Sequence, residues 1–249
     1  MKIFFFLSIF LSNILFAQDE NTLLKQADNL EKQFKENDAL DVYKKILIID
    51  SSNIKVLVKC TELSCSIGEK QTDKNNKANY YQSAKSFADK ALTASANSAD
   101  ANYAQALVFE KITETEKENK NLAEDISQIY EHAAKALSIN SNHAKANYIL
   151  GKWHFEMLSL NWFKKAALKT LNRHLPETDI DTAIAYMEKC RSIDIYFLPD
   201  YLELAKAYQF KNRPAQAIDV LNKMVRLPNR TANDEALKTE GQKLLSTLQ

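Results

Sequence analysis

Glycine and proline are scarce in this chain, with 3 glycines and 4 prolines among 249 residues. These residues supply many of the backbone angles that tight β-turns require, so a protein made of β-hairpins is not expected. Alanine, leucine, lysine, glutamate and glutamine are frequent instead, and all five favour helices. The composition therefore predicts an all-α fold.

Cysteine is also rare, and its number is odd. Only Cys60, Cys65 and Cys190 occur, too few to build a disulfide framework. Cys60 and Cys65 are five residues apart on a predicted helix, so their side chains point to different faces. We interpret all three cysteines as small core residues.

The chain lacks the motifs of common catalytic and metal sites. Its glycines are scattered and form no phosphate-binding loop, and no G-x-S-x-G nucleophile elbow occurs. Histidine is equally uninformative, because no two of the four residues have the spacing, with an acid, of a helical zinc site: His132, His143, His154 and His174. We predict no catalytic residue, no metal and no cofactor, and therefore a protein that is not an enzyme.

An excess of charge of either sign is missing too. Without Lys2 the chain has 32 Lys plus Arg and 32 Asp plus Glu. A net charge near zero argues against a sequence-wide basic surface, so nucleic acid is not an expected partner.

Long apolar runs are absent after the N-terminus. Residues 1–17, MKIFFFLSIFLSNILFA, combine one cation with a run of about 14 mostly apolar residues and end at Ala17. This pattern is typical of a secretory signal peptide, and the run is shorter than the roughly 20 apolar residues of a membrane-spanning helix. We expect cleavage near Ala17 and a periplasmic or secreted protein with one domain, 18–249. A retained membrane anchor is the alternative.

One segment carries a regular packing pattern. Residues 198–229, LPDYLELAKAYQFKNRPAQAIDVLNKMVRLPN, place large and small side chains at fixed slots on two successive helices. The large slots hold Tyr201, Leu204, Tyr208, Leu221 and Met224; the small slots hold Ala205 and Ala217. Small residues are needed where two helix backbones approach closely, so the spacing is a packing requirement.

The same slots recur through the earlier part of the chain, and the intervals between them lengthen toward the C-terminus. The small slots of the first helices are Ala27, Thr61, Ala106, Gly151 and Ala205, with spacings of 34, 45, 45 and 54. Those of the second helices are Ala39, Ala84, Ile129, Ala183 and Ala217. The extra residues therefore fall inside hairpins 2, 3 and 4, while the joints between hairpins remain short. We predict about five helix hairpins with longer tips along one rim.

The three inserts differ in character. Residues 69–78 and 113–121 are polar and are predicted to be solvated helix tips or loops. Residues 157–176 contain no acid and have an amphipathic apolar series. We expect this segment to fold back onto the solenoid, and we keep contact with a membrane surface or a partner as an alternative, made through Trp162, Lys164, Lys165, Lys169 and Arg173.

The last segment predicts a terminal cap. Leu237, Gly241, Leu244 and Leu248 share one helical face, and Asp234 begins the helix where an acid favours the helix dipole. A solenoid exposes an unpaired apolar face at its end, which such a helix covers.

These slots make the chain resemble tetratricopeptide repeat proteins from about residue 21 to 248. The stretches LGKWHFEMLSLNW, TAIAYMEKCRSID and YLELAKAYQ also resemble the regulator of microtubule dynamics protein family, from Ala144 to about Leu245. The first resemblance implies a right-handed α-solenoid whose first helices line a groove that binds a partner. The second implies shared architecture; microtubule activity is not carried over, because an exported chain would not meet tubulin.

Matching groove positions in this sequence follow from the first resemblance. They are Tyr103, Leu107, Glu110, Tyr148, Lys152, Phe155, Leu202, Lys206 and Gln209. Aromatic residues beside cations suit an extended peptide. We expect a non-catalytic adaptor for a protein or peptide partner in the cell envelope. The alternative is an accessory component of a transport system that binds a small molecule or lipid in a cavity closed by the third insert.

Overall fold

The computed structural model describes residues 20–116, 119–159 and 175–249. These residues form eleven α-helices and no β-strand, which confirms the all-α class. The helices are α1 (20–32), α2 (Glu36–Ile49), α3 (Ile54–Glu69), α4 (Lys74–Ala94), α5 (Ala99–Thr113), α6 (Asn119–Ile139), α7 (Ala144–Ser159), α8 (Ile180–Ile193), α9 (Leu198–Phe210), α10 (Pro214–Met224) and α11 (Asp234–Leu248).

Successive helices pack as hairpins in a continuous stack. The later pairs are α3 with α4, α5 with α6, α7 with α8 and α9 with α10, and α1 precedes α2 in the first hairpin. The first helices also contact each other along an inner row, α3 with α5, α5 with α7 and α7 with α9. Helix α11 packs on α9 and α10 and ends the stack, as predicted.

The predicted small slots are the places where helices meet. Ala27, Ala39, Thr61, Ala84, Ala106, Ala183, Ala205 and Ala217 are fully buried, and Ile129 and Gly151 are buried too. At Gly151 a Cβ would lie 2.8 Å from Met187 Cγ and 3.0 Å from the Ala183 carbonyl oxygen. Helices α7 and α8 thus approach too closely for any side chain at this slot.

The joints between hairpins repeat one piece of local chemistry. Asp50, Asn140 and Asp194 each accept the backbone N–H two residues ahead, at 3.0–3.1 Å. Asn53 and Ser98 then cap the following first helices with their side chains. These short polar side chains turn the chain and satisfy helix N-termini at once, so the joints stay short while the tips lengthen.

Much of the extra length of hairpins 2 and 3 is helix. α4 and α6 are 21 residues long, and the polar segment 69–78 includes a short turn and the first residues of α4. The prediction of solvated helix tips or loops is confirmed for 69–78, since most of these residues are exposed. Most of the basic amphipathic segment, including Trp162, Lys164, Lys165, Lys169 and Arg173, lies outside the described residues, as does the predicted signal segment 1–17.

The prediction that the cysteines belong to the core is confirmed. The three cysteines are buried and unbonded. Trp153 is buried and its indole N–H donates to the Ile126 carbonyl at 2.9 Å. His154 is buried against Tyr186, with ring centroids 5.8 Å apart, and burial lowers its pKa. Within the described ranges, no helix is both long and apolar enough to cross a membrane.

Candidate functional site

The inner row of helices surrounds a cavity of about 650 Å³. Its walls are α3, α5, α7, α9 and α11, together with the segment 230–233 that leads into α11. Seven of the nine predicted groove residues line it: Tyr103, Leu107, Glu110, Tyr148, Lys152, Leu202 and Lys206. Phe155 instead packs edge-on against Phe210, and Gln209 is exposed away from the cavity lining.

A buried ion cluster forms one part of the wall. Glu110 Oε1 accepts from Lys152 Nζ at 2.5 Å, and Lys111 Nζ lies 3.7 Å from the same oxygen. Burial alone would raise the pKa of Glu110, but the two lysines outweigh it and lower the pKa to about 2. Lys111 also bonds Glu69 of α3 at 2.9 Å, so the cluster ties three first helices together.

A second cluster lies toward the joint between α7 and the earlier helices. Glu62 accepts from Lys145 Nζ at 2.6 Å and from the Tyr103 hydroxyl at 3.0 Å. Burial opposes ionisation of Glu62, but Lys145 and Lys59 attract the carboxylate and its pKa falls. Lys59 in turn bonds Glu31 at 2.9 Å.

Aromatic side chains stand beside these charges. The rings of Tyr148 and Phe197 pack edge to face, with their centroids 5.1 Å apart. Lys145 Nζ lies 5.8 Å from the centroid of the Tyr103 ring and 5.9 Å from that of the Phe197 ring. Burial raises the pKa of Tyr148, so its hydroxyl stays protonated. Among the described residues this hydroxyl has no hydrogen-bond partner, which leaves it free to bond an occupant of the cavity.

The C-terminal cap closes the cavity against the early hairpins. Asn233 Nδ2 lies 3.2 Å from Ser66 Oγ and 3.1 Å from Glu69 Oε2, both on α3. Asp234 holds this segment by accepting the backbone N–H groups of Arg230 at 2.6 Å and Thr231 at 2.9 Å. The wall of the cavity therefore runs from α3 through α9 to α11 and back to α3.

The lining carries both signs of charge. Eight carboxylates and seven cations face the cavity, with apolar contributions from Leu63, Leu107, Leu202 and Leu237. Because many of these charges are paired with each other, an occupant of one sign would have to separate existing pairs. An extended chain with hydrogen-bonding groups and mixed charges fits this lining better. Within the described residues no cluster of three or more His, Cys, Asp or Glu is arranged to hold a metal ion.

Sequence reasoning missed part of this site. Glu62, Lys111, Phe197 and Arg230 all line the cavity and were not predicted. Glu62 and Lys111 stand one residue from the small slots or groove positions of their helices, and this spacing was the available signal. Arg230 lies beyond the repeats, and its place follows only from the return of the cap.

Comparison with known proteins gives one family. The sequence model described as regulator of microtubule dynamics protein 1-3 matches residues 23–249. Regulator of microtubule dynamics protein 1 of Caenorhabditis elegans is 24% identical over 56% of the chain and 59% of its own length. Regulator of microtubule dynamics protein 3 of Bos taurus is 22% identical over 91% of the chain and 49% of its own length. The chain thus spans about half the length of these curated relatives.

Solved structures share the fold at low identity. A thermophilic tetratricopeptide repeat protein of Thermus thermophilus matches 91% of this chain and 99% of its own, with a TM-score of 0.67 and 12% identity. The pilF protein of Pseudomonas aeruginosa matches 94% of this chain and 90% of its own, with a TM-score of 0.55 and 11% identity. These matches confirm the α-solenoid. The family match is also wider than the predicted resemblance, because it begins at residue 23.

Proposed function

Because the chain belongs to the regulator of microtubule dynamics protein 1-3 family and has a tetratricopeptide-like solenoid, we propose that it is a non-catalytic scaffold. Its partner is a protein, bound through an extended segment in the central cavity. A regulator family on such a fold favours protein interaction over catalysis.

One observation carries this proposal: three consecutive first helices each present a charged or aromatic group to the same cavity. Tyr103 on α5 and Tyr148 on α7 stand beside Lys145, and Lys206 follows on α9. A cation next to aromatic faces holds a carboxylate or a backbone carbonyl, while the tyrosines stack on apolar side chains. The lining thus combines charged groups with apolar surface, which suits an extended peptide.

Photo-crosslinking tests the cavity directly. Benzoylphenylalanine replaces Tyr148 in the full-length chain, expressed in its native cell, and replaces the exposed Ser86 of α4 as the matched outer position. We expect one dominant protein adduct from position 148 and none from position 86. Equal labelling at both positions, or none at 148 in a folded chain, contradicts the proposal.

A pair of lysine variants sharpens the same experiment. Lys145→Gln removes the cation between Tyr103 and Phe197. Lys85→Gln removes a lysine with similar contacts outside the cavity, an ion pair to Asp89 at 2.9 Å and a ring contact to Phe109 at 5.6 Å. Loss of a cation contact worth about 1 kcal/mol lowers the yield of the adduct at position 148 roughly fivefold. We expect this decrease for Lys145→Gln and no decrease for Lys85→Gln.

The proposed place of action is the cell envelope, outside the cytoplasm, and it rests on residues 1–17. A fusion of residues 1–24 to a reporter that is active only after export tests it; a cytoplasmic fusion product contradicts it. The names of the relatives concern microtubule dynamics. An exported chain does not meet tubulin, so we do not extend that activity to this protein.

A small molecule or lipid is the second candidate occupant, favoured by the closure of the wall by Asn233 and by the volume of about 650 Å³. Such volumes are typical of small-molecule sites. Native mass spectrometry of the purified full-length chain distinguishes the candidates. A retained mass of small-molecule size supports the second, and its absence together with a protein adduct at position 148 supports the first.

A further inference from the structure

Exposed apolar side chains are concentrated on one edge of the solenoid. We call this the joint edge: the last residues of the second helices and the joints after them, 48–53, 93–98, 138–143 and 192–197. Seven large apolar residues of the described chain are exposed by more than about a third, and five lie here: Ile48, Ile49, Ile139, Ile193 and Ile195. Ile48 is 84% exposed and Ile195 is 51% exposed, so neither contributes much to the core.

A column of lysines runs beside these isoleucines. Each second helix has a lysine six residues after its small slot: Lys45, Lys90, Lys135, Lys189 and Lys223. Because the slots are in register along the stack, the five lysines occupy equivalent positions, one helical turn before each joint. Lys45, Lys90, Lys135 and Lys223 are exposed. Lys223 pairs with Asp219 at 2.7 Å, whereas the other four have no ion pair within the described residues.

The acidic residues of this edge are already engaged. Asp50 and Asp194 accept backbone N–H groups in their joints. Asp100 lies 3.0 Å from His143 Nε2. These hydrogen bonds leave the carboxylates charged, so the joints contribute two negative charges, Asp50 and Asp194, beside a column of five lysines.

The start of α1 adjoins the same edge. Glu20, at the start of α1, accepts a hydrogen bond from the Asn53 side chain in the first joint, at 2.9 Å. Helix α1 therefore begins at the joint edge.

We propose that the joint edge docks onto a membrane surface that carries anionic headgroups. Lysines spaced once per hairpin match a flat, negatively charged surface, and each raises binding about fivefold near anionic lipids. One or two exposed isoleucines at each of three joints suit shallow insertion between headgroups. A protein partner would more often be met by a compact aromatic hot spot, and none of the five exposed large apolar residues of this edge is aromatic.

Vesicle co-sedimentation of the full-length chain tests the charge requirement. The probes are phosphatidylcholine vesicles with and without phosphatidylserine. The triple variant Lys45→Glu, Lys90→Glu and Lys135→Glu reverses the charge of three of the five lysines in the column. The matched control, Lys32→Glu, Lys35→Glu and Lys74→Glu, makes the same charge change at exposed positions near the hairpin tips. We expect the column variant to lose at least tenfold in binding to anionic vesicles and the control to keep it.

A fluorescent label tests the orientation, even where residues 1–17 insert by themselves. The native cysteines are buried, so a single cysteine at Ile195→Cys or at Phe34→Cys is labelled selectively with an environment-sensitive dye. Phe34 is exposed at a hairpin tip and serves as the control. The expected result is a blue shift on anionic vesicles at position 195 only. The proposal is overturned by equal shifts at both positions or by no shift at position 195. It is also overturned if the column variant binds anionic vesicles fully, or if this edge captures a protein in the absence of lipid.

Discussion

Glu110 is a carboxylate buried in the cavity wall between lysines from its own helix and from α7. Its pKa of about 2 lies below the 4.5 of the unconstrained group, because Lys152 and Lys111 outweigh the effect of burial. A depressed folded-state pKa stabilises the fold wherever the carboxylate is ionised. This contribution is complete above pH 4.5 and disappears as the pH falls toward 2.

Glu110→Gln removes the charge while keeping the shape. We expect a loss of about 2 kcal/mol in the free energy of unfolding at pH 7, because the buried Lys152 loses its nearest counter-charge and Lys111 loses one of its three. Urea denaturation measures it. The exposed pair partner Asp41→Asn is the control and changes stability by less than about 0.5 kcal/mol.

The pH dependence gives an independent reading of the same residue. The stability difference between wild type and Glu110→Gln shrinks as the pH is lowered from 4.5 toward 2, because the wild-type carboxylate becomes protonated. A difference that stays constant over this range would show that Glu110 acts through shape and not charge.

At this scale the sequence predicted positions better than roles. Groove residues such as Tyr103 and Lys152 followed from the repeat slots and do line the cavity. The ion pairs in the cavity wall did not follow from the sequence. Glu62 and Lys145, for example, are 83 residues apart and meet only when three hairpins stack. Whether these residues bind a partner stays a prediction.

Gly151 and Gly241 show how single positions control contacts between helices. Gly151 lets α7 approach the backbone of α8, where a Cβ would meet the Ala183 carbonyl at 3.0 Å. Gly241 on α11 faces the flexible end of Met224, whose sulfur would lie 3.1 Å from a Cβ. A main-chain obstacle cannot move aside, whereas a methionine side chain adapts.

Gly151→Ala is therefore expected to destabilise the protein by about 1–3 kcal/mol, through overpacking of α7 against α8. Gly241→Ala is the matched substitution. It gains up to about 1 kcal/mol of helix propensity and forces only a side-chain adjustment, so its effect is neutral or stabilising. Thermal unfolding of both variants checks the order, and a more stable Gly151→Ala variant would contradict the close approach.

Helices and their pairing were largely predictable, because the slots and the joint residues are local signals. The five hairpins and the terminal helix all occur in register with the sequence pattern. The inserts were less predictable. Polar segments such as 69–78 lack an apolar stripe, yet α4 begins at Lys74 because Asp73 caps it, accepting from Asn76 N–H at 2.8 Å.

The molecule as a whole bends until the segment before its last helix meets its second hairpin. Asn233 bridges to Ser66 and Glu69 across more than 160 residues of sequence. No repeat slot indicates this contact, since it depends on the summed rotation of four hairpins. The sequence could thus predict a solenoid and a cap but not that the two would enclose a cavity.

Asn233→Asp tests the closure by placing a carboxylate beside Glu69. Loss of two hydrogen bonds and a new repulsion weaken the contact by about 1 kcal/mol, and hydrogen exchange at 230–236 speeds up roughly fivefold. Asn97→Asp makes the same charge change at an exposed joint residue and leaves exchange unaltered there. Unchanged exchange in Asn233→Asp would mean that the cap is held by α9 and α10 alone.

Closure of the wall also has a kinetic consequence. A bound chain whose two ends are folded cannot slide out lengthwise, so it leaves only after the 230–233 segment separates from α3. Its residence time is then set by the opening rate of the cap, and partners of very different affinity dissociate at similar rates. The exchange of one bound partner for another would be timed by the protein's own 230–233 segment.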